Sequence, residues 1–260
     1  MTTLITGAAG FIGSHLTETL LKQGEQVVAI DNFNDYYSPV RKRANIAAFQ
    51  NHSNLWLYEE DICNEEAIRR IFAEHRPQTV AHLGAYGGVR YSIGRARLYT
   101  DVNLVGTVNL LEAARLNGTE IFVFASTSSV YGQTTRLPFI ETDPCNHPLA
   151  PYPASKKAAE VMGYSYFNLH QLNFTALRFF SVYGPRGRPD MMPFMVTDRI
   201  VKGAEITLYD AGQMKRDWTY VDDIVSGIVA ALERPLGYEI INLGRGEPVL
   251  MANFVEIIER

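Results

Sequence analysis

The sequence predicts an α/β fold in which helices cover both faces of a mostly parallel sheet. Apolar segments rich in β-branched residues alternate with amphipathic segments up to about residue 180, and a glycine-rich turn follows the first apolar segment. Successive parallel strands require a crossover connection, which is usually a helix. This alternation therefore indicates a doubly wound parallel sheet.

The same alternation gives the order of the elements. We predict strands near residues 3–6, 26–31, 54–60, 78–83, 120–126 and 174–180, and helices near 11–23, 38–50, 64–75, 97–117 and 153–171. Beyond residue 181 the chain has loops rich in Pro, Gly and Arg, a helix near 192–203, short strands and a helix near 222–234. We therefore predict two domains, residues 1–180 and a smaller domain of residues 181–260.

The turn after the first strand predicts a phosphate-binding site. Gly7, Gly10 and Gly13 are spaced Gly-x-x-Gly-x-x-Gly, and a helix is predicted from Phe11. Glycines let the backbone approach a pyrophosphate, and a helix N-terminus offers free N–H groups and the positive end of a dipole. The second strand ends in Asp31, which can accept hydrogen bonds from ribose hydroxyls and repel a 2′-phosphate. These features predict a Rossmann-type domain that binds NAD in preference to NADP.

Composition and charge exclude several classes of protein. The 260 residues are 47% hydrophobic and 20% charged, which is ordinary for a soluble globular enzyme. The net charge of −4 offers no basic surface for nucleic acid, and no apolar run approaches a membrane span. Cys63 and Cys145 are too few for a disulfide framework, and the chain opens on its first strand without a signal peptide. We expect a cytoplasmic protein with no nucleic acid or membrane partner and no metal site.

A tyrosine and a lysine indicate the catalytic centre. Tyr152 and Lys156 are four residues apart in a predicted helix, so they share one face, and the lysine charge can lower the pKa of the phenol. Thr127 follows a buried strand earlier in the chain. Such a Tyr–Lys pair alone is more often a feature of a helix surface. The cofactor motifs that precede it favour catalysis.

Together these motifs resemble the extended short-chain dehydrogenase/reductase superfamily, and within it the NAD-dependent nucleotide-sugar epimerases and dehydratases. The resemblance covers essentially the whole chain and is carried by residues 6–13, 31–33, 61–62, 82–85, 126–132, 152–156, 177–185 and 216–223. UDP-glucuronate 4-epimerases are the most similar members, because they share the runs 31–37, 187–191 and 214–217.

The resemblance implies an NAD-dependent isomerase that acts on a UDP-sugar through a transient 4-keto intermediate. It implies that Tyr152 removes the proton of the sugar C4 hydroxyl, that Thr127 bonds the same oxygen, and that Lys156 holds the cofactor ribose. Besides Tyr152 and Lys156, the implied cofactor contacts are Gly7, Gly10, Phe11, Ile12, Gly13, Asp31, Asn32, Asp61, Ile62, Leu83, Gly84, Ala85, Phe179 and Val182. The implied substrate contacts are Arg90, Ser128, Ser129, Ser181, Arg188 and Arg216.

Two serines distinguish the reactions of this superfamily. Dehydratases and decarboxylases carry carboxyl groups where Ser128 and Ser129 stand, and a serine hydroxyl cannot replace a carboxyl group as an acid or base near neutral pH. We therefore expect epimerisation, with UDP-glucuronate and UDP-galacturonate as the pair of substrates. UDP-glucose and UDP-galactose are the alternative. The helices near 97–117 and 153–171 also resemble those that form a four-helix dimer interface, which predicts a homodimer.

Two other classes stay open. An NADP-dependent sugar reductase would require an arginine or lysine beside Asp31. A cofactor-binding protein with little activity is also consistent with the chain end, because Arg260 falls inside a predicted helix where members of the family continue. The substrate domain is therefore expected to be shorter than in those relatives. The complete set of Thr127, Tyr152 and Lys156 argues against an inactive protein.

Overall fold

The central sheet is parallel and carries helices on both faces. The structure, a computed structural model, describes residues 1–260 except for the side chain of Tyr209. The strands of the described chain are β1 (Thr2–Thr6), β2 (Gln26–Ile30), β3 (Leu55–Tyr58), β4 (Thr79–His82), β5 (Ile121–Thr127), β6 (Asn173–Phe179), β7 (Ser181–Tyr183), β8 (Lys215–Tyr220), β9 (Tyr238–Leu243) and β10 (Pro248–Leu250). The α-helices are α1 (Phe11–Lys22), α2 (Pro39–Ile46), α3 (Glu65–His75), α4 (Val89–Ser92), α5 (Ala96–Thr100), α6 (Gly106–Asn117), α7 (Pro151–His170), α8 (Met192–Val201), α9 (Val221–Leu232) and α10 (Met251–Glu259).

The order of the strands places the ligand crevice. Within the described residues, seven strands follow the order β3-β2-β1-β4-β5-β6-β9, and each neighbouring pair is parallel. The order changes direction between β1 and β4, which lie side by side. Ligands of open α/β sheets bind beyond the carboxyl ends of the strands at such a point. The predicted Rossmann-type fold class is confirmed.

The helices bury one apolar cluster on each face of the sheet. Leu16 of α1 and Ile224 of α9 belong to the cluster on the first face. Ile68 of α3, Leu110 of α6 and Ala159 of α7 belong to the cluster on the second face. All five side chains are shielded from solvent, so the strands between them are apolar on both sides. Packing on both faces of the sheet therefore holds the carboxyl ends of these strands in place.

The segment after residue 180 contributes to both sheets. β9 pairs with β6 at the end of the central sheet, and α9 packs against α1. β7, β8 and β10 form a second sheet, in which β8 is parallel to β7 and antiparallel to β10. The division at residue 180 stays a prediction, and the structure adds that α9 and β9 complete the body formed by the first 180 residues.

The helix predicted over residues 97–117 is interrupted. α5 ends at Thr100, one turn of π-helix covers Asp101–Val105, and α6 continues from Gly106. The wider turn directs the buried side chain of Asn103 inward, and the Thr107 hydroxyl donates to the Asn103 carbonyl at 2.7 Å. The predicted bounds of the helical segment are confirmed, because helical structure runs from Ala96 to Asn117 without a gap. The π-helical turn inside it was not predicted, because the apolar spacing gives no sign of the extra residue. Among the described residues, no helix combines the length and the apolar character needed to span a membrane.

Candidate active site

A cleft at the carboxyl ends of the central strands brings most of the predicted site residues together. The predicted residues that line it are Gly7, Gly10, Phe11, Ile12, Gly13, Asp31, Asn32, Ile62, Leu83, Gly84, Ala85, Thr127, Ser128, Ser129, Tyr152, Lys156, Phe179, Ser181, Val182 and Arg188. They come from the ends of β5 and β6, from the segments that follow β1, β2, β3, β4 and β5, from β7 and the loop after it, from the first turn of α1 and from the first two turns of α7. The folded chain therefore forms one continuous site from motifs that are distant in sequence.

The glycine turn is closed so tightly that a side chain would not fit. A Cβ atom on Gly13 would lie 2.0 Å from the carbonyl oxygen of Gly7. Gly7 has a φ of +67°, and a Cβ atom there would lie 2.8 Å from the backbone nitrogen of Gly84. No side chain caps the start of α1, and the residues of its first turn, Phe11, Ile12 and Gly13, line the cleft. These residues fit a bound pyrophosphate, which needs close backbone and free donors.

The end of β2 forms the acidic part of the cleft. Asp31 is 7% exposed, and its two carboxylate oxygens accept the backbone N–H groups of Ala9 at 3.0 Å and Phe33 at 2.9 Å. Burial raises the pKa of Asp31, whereas the Lys42 charge and these two hydrogen bonds lower it. Asn32 donates to Asp61 at 2.7 Å, so Asp61 holds Asn32 from outside the cleft lining.

Tyr152 and Thr127, which the sequence predicts to be the reactive pair, lie together in the cleft. Tyr152 lies in the first turn of α7, and Thr127 is the last residue of β5. Burial raises the pKa of the Tyr152 phenol, whereas a hydrogen bond with Thr127 and the charge of Arg188 lower it. Thr127 Oγ1 also accepts the backbone N–H of Ser129 at 3.1 Å, which fixes the threonine rotamer. The two hydroxyl groups can therefore bind one substrate oxygen from adjacent positions.

Lys156 lies one turn further along α7 and is 2% exposed. Burial lowers its pKa from the ordinary 10.5 to about 7, and the Glu160 charge opposes that change. Its ammonium nitrogen lies 4.6 Å from the centroid of the Phe124 ring, within the range of a cation–π contact. A lysine poised in this way can bind ribose hydroxyls and exchange a proton near neutral pH.

The sequence did not predict the residues that hold the loop after β4, which contains Tyr86 and Gly87. The Asn103 amide donates to the Tyr86 carbonyl at 3.0 Å and accepts the Tyr86 N–H at 2.9 Å. It also donates to Ser155 Oγ at 3.1 Å, next to Lys156. The phenol of Tyr99 donates to the Gly87 carbonyl. Asn103 therefore connects the loop after β4 to α7. Asn103 itself lies in the π-helical turn described above.

Arg188 lines the cleft near Tyr152 as half of an ion pair. Its Nε and Nη2 atoms lie 3.0 and 2.9 Å from the two carboxylate oxygens of Asp190. The phenol of Tyr36 donates to Asp190 at 3.1 Å. A Cβ atom on Gly87 would lie 2.7 Å from Arg188 Nη1, so the glycine makes room for the guanidinium. Gly87 and Tyr36 also line the cleft and were not predicted as site residues.

Two predicted substrate arginines lie apart from this cleft. Arg90 is exposed on α4, and Arg216 is exposed on β8, where its Nη1 atom is 3.3 Å from the Lys215 carbonyl. Neither belongs to the lining of the cleft. Their roles in binding a diphosphate stay predictions.

His82, the last residue of β4, is fully buried and has a structural position. His82 lies 2.6 Å from Thr6 Oγ1 and 2.9 Å from Thr107 Oγ1, and burial holds its pKa well below the ordinary 6.5. It therefore joins β1, β4 and α6 as a neutral ring. Within the described part of the chain, no three His, Cys, Asp or Glu side chains are grouped in a way that could hold a metal ion.

The arrangement provides an acid–base pair beside a nucleotide-binding loop, and the comparisons identify the family. The NAD dependent epimerase/dehydratase family matches residues 3–244. The chain belongs to this family. NAD is therefore its cofactor, and the residues around the glycine turn and Asp31 are the part of the chain suited to hold it.

Relatives and solved structures agree with this assignment. UDP-glucuronate 4-epimerase of Thermodesulfobacterium geofontis is 43% identical over 99% of this chain and 79% of its own length. UDP-glucuronic acid 4-epimerase of Bacillus cereus, solved with UDP-glucuronic acid and NAD, matches with a TM-score of 0.92 and 35% identity over 100% of this chain and 82% of that one. UDP-glucose 4-epimerase of Thermotoga maritima, solved with UDP-glucose, matches with a TM-score of 0.90 and 32% identity over the same shares.

Proposed function

We propose that this chain interconverts the C4 epimers of a UDP-sugar, with UDP-glucuronate and UDP-galacturonate as its preferred pair. The observation that carries the proposal is the placement of Thr127 and Tyr152 beside the NAD site, with two serines in place of an acid–base pair. The family membership and the 4-epimerase relatives support the same reaction.

Each of the polar residues of the cleft has a separate role in the proposed reaction. Tyr152 removes the proton from the C4 hydroxyl of the sugar, and Thr127 holds that oxygen by a hydrogen bond. NAD, when bound, would supply a reversible hydride acceptor, and inversion at C4 requires the 4-keto sugar to present its opposite face for the return of the hydride. Lys156 binds the ribose from one helical turn beyond Tyr152. The Thr127 hydrogen bond and the Arg188 charge favour the Tyr152 phenolate, because both lower the phenol pKa against the burial that raises it.

The preference for a uronic acid depends on the sugar end of the cleft. Ser128, Ser129 and Ser181 line it with Arg188, and these groups can surround a carboxylate with hydrogen bonds and one positive charge. A carboxylate held in this way is less prone to leave as CO₂ from the 4-keto intermediate. Little UDP-pentose should therefore form.

One observation favours UDP-glucose as the second candidate. Arg188 already pairs with Asp190 at 2.9 Å, which offsets part of the charge that a substrate carboxylate would meet. The three serine hydroxyls could instead bind an uncharged hydroxymethyl group. The ratio of the specificity constants for the two substrates distinguishes these candidates.

The test is to incubate the protein with NAD and each UDP-sugar and to identify the products by NMR. We expect UDP-glucuronate to yield UDP-galacturonate, and Tyr152→Phe to lose this activity while it retains NAD. An Arg188→Ala variant should lower the preference for UDP-glucuronate over UDP-glucose. Full activity in Tyr152→Phe would contradict the mechanism, and a preference for UDP-glucose that Arg188→Ala leaves unchanged would contradict the choice of sugar only.

We also propose that the chain is a cytoplasmic homodimer that pairs through α6 and α7. Val161 and Tyr164 of α7 are 57% and 52% exposed, as a partner surface requires. Leu111 of α6, by contrast, is fully buried in the core. Light scattering at micromolar concentration should give the mass of a dimer, and a Val161→Glu variant should shift it towards the monomer.

A further inference from the structure

The adenosine end of the cleft contains a lysine that the sequence motifs did not indicate. Lys42 of α2 and Asp31 are each 6% exposed at the side chain, and the ammonium nitrogen lies 3.9 Å from Asp31 Oδ1. Both side chains line the cleft. The ammonium group also donates to Asn34 Oδ1 at 2.8 Å and lies 5.1 Å from the centroid of the Tyr37 ring. A buried cation is therefore fixed beside the carboxylate that selects the cofactor.

The two charges act in opposite directions on the same ligand group. A carboxylate at the end of β2 accepts ribose hydroxyls and repels a 2′-phosphate, whereas an ammonium group at that place attracts the phosphate. Of the neighbouring acids, Asp35 acts on Lys42 through its charge from beyond ion-pair distance, and two glutamates pair with arginines. Glu59 pairs with Arg43 at 2.8 Å, and Glu60 pairs with Arg70 at 3.1 Å. Asp31 is accordingly the carboxylate that lies within ion-pair distance of this lysine among the described contacts.

We propose that Lys42 is a second determinant of cofactor choice, and that the site excludes a 2′-phosphate through the Asp31 carboxylate alone. Removal of that one charge leaves a buried ammonium group facing the adenosine ribose, so the site becomes able to bind NADP. The inference rests on the cofactor site of the proposed function. It concerns binding of the cofactor, and it requires no sugar and no turnover.

The contacts of Asp31 make a neutral replacement feasible. Its oxygens accept two backbone N–H groups, and an asparagine of the same size can still accept one of them. Lys42 keeps its bond to Asn34 in that variant. The substitution therefore removes one negative charge and preserves the shape of the loop.

The experiment measures the affinities of NAD and NADP by calorimetry for the native chain, Asp31→Asn, Lys42→Met and the double variant. Asp31→Asn should raise the affinity for NADP relative to NAD on the order of 10-fold to 100-fold. Lys42→Met in that background should abolish the gain. Lys22→Met is the matched control, because this lysine of α1 is 73% exposed and pairs with Glu18.

The outcomes separate this inference from the proposed function. A gain in NADP affinity that survives Lys42→Met would overturn the role of Lys42, and so would the absence of a gain in a variant that still binds NAD. If Asp31→Asn fails to fold, Asp31→Ser provides the same comparison with a shorter neutral side chain. A native chain that binds NAD but epimerises no UDP-sugar would contradict the proposed function and leave the cofactor inference intact.

Discussion

The stability of the chain should depend strongly on Glu160, the single carboxylate side chain of α7. Its carboxylate is fully buried and accepts Ser126 Oγ at 2.6 Å and Arg178 Nε and Nη2 at 3.0 and 2.9 Å. Arg178 is also fully buried, on β6. Although burial raises the pKa of Glu160, the hydrogen bonds and charge of Arg178 bring it below its ordinary value, so the pair is ionised at neutral pH. The pair joins β5, β6 and α7 directly behind Thr127 and Lys156.

We expect Glu160→Gln to destabilise the chain strongly. The amide keeps the size of the side chain but leaves Arg178 buried without a counter-charge, which costs about 3–5 kcal/mol. At roughly 2–4 °C per kcal/mol for a chain of this size, the melting temperature should fall by roughly 6–20 °C. The control is Glu65→Gln on α3, because Glu65 and Arg69 form an exposed pair at 2.6 Å and the expected loss is about 0–1 kcal/mol.

The assay is thermal unfolding at pH 7 followed by circular dichroism, with urea unfolding as the independent measure of free energy. A double variant, Glu160→Leu with Arg178→Met, removes both charges and should recover much of the loss, since an apolar pair replaces a buried ion pair at little cost. If Glu160→Gln melts within the range of Glu65→Gln, or if the double variant is less stable than the single one, the buried ion pair is not what stabilises this region.

Three further predictions concern the site and the helix that carries it. Thr127→Val should slow epimerisation by less than the roughly 10²–10⁴-fold loss expected for a missing general base, because it weakens only the hold on the substrate oxygen; initial rates with UDP-glucuronate test this. Burial lowers the pKa of Lys156 from 10.5 to about 7 in the folded chain. Between these two pH values the unfolded chain therefore binds one more proton than the folded chain does. Stability should therefore rise with pH from about 7 upward, and Lys156→Met should remove that part of the slope in urea unfolding. Gly163→Ala should cost about 1–3 kcal/mol in the same assay, because its Cβ atom would lie 2.4 Å from the Phe174 ring; an unchanged midpoint would refute tight packing there.

Features that depend on neighbouring residues in sequence were predicted well. The glycine turn, the helix that follows it and Asp31 form within one β–α–β unit, so their spacing alone fixes the geometry. Tyr152 and Lys156 share one face of α7, because four residues make about one helical turn. The family resemblance added the order of the remaining motifs and was confirmed by the match over residues 3–244.

Features that depend on contacts between distant segments were missed. Asn103 reaches Tyr86 and Ser155 only because a π-helical turn interrupts the helix, and the apolar spacing of residues 97–117 gives no sign of that turn. Lys42 looks like a solvated lysine in a short polar helix, and its burial follows from the packing of α2 beside the loop after β2. Sequence periodicity locates such residues on an element but does not give the partner across the cleft.

The charge balance of the cleft depends on the partners of the motif residues as well as on the motif residues themselves. Asp31 belongs to a motif that is predicted to select NAD, and Lys42 of α2 offsets its charge at 3.9 Å. Arg188 lies in the run 187–191, and Asp190 of the same run pairs with it at 2.9 Å. Asp31 and Arg188 thus each have a partner of opposite sign within ion-pair distance. Because the energy that a ligand gains depends on both members of a pair, specificity at both ends of this cleft should respond to Lys42 and Asp190 as well as to Asp31 and Arg188.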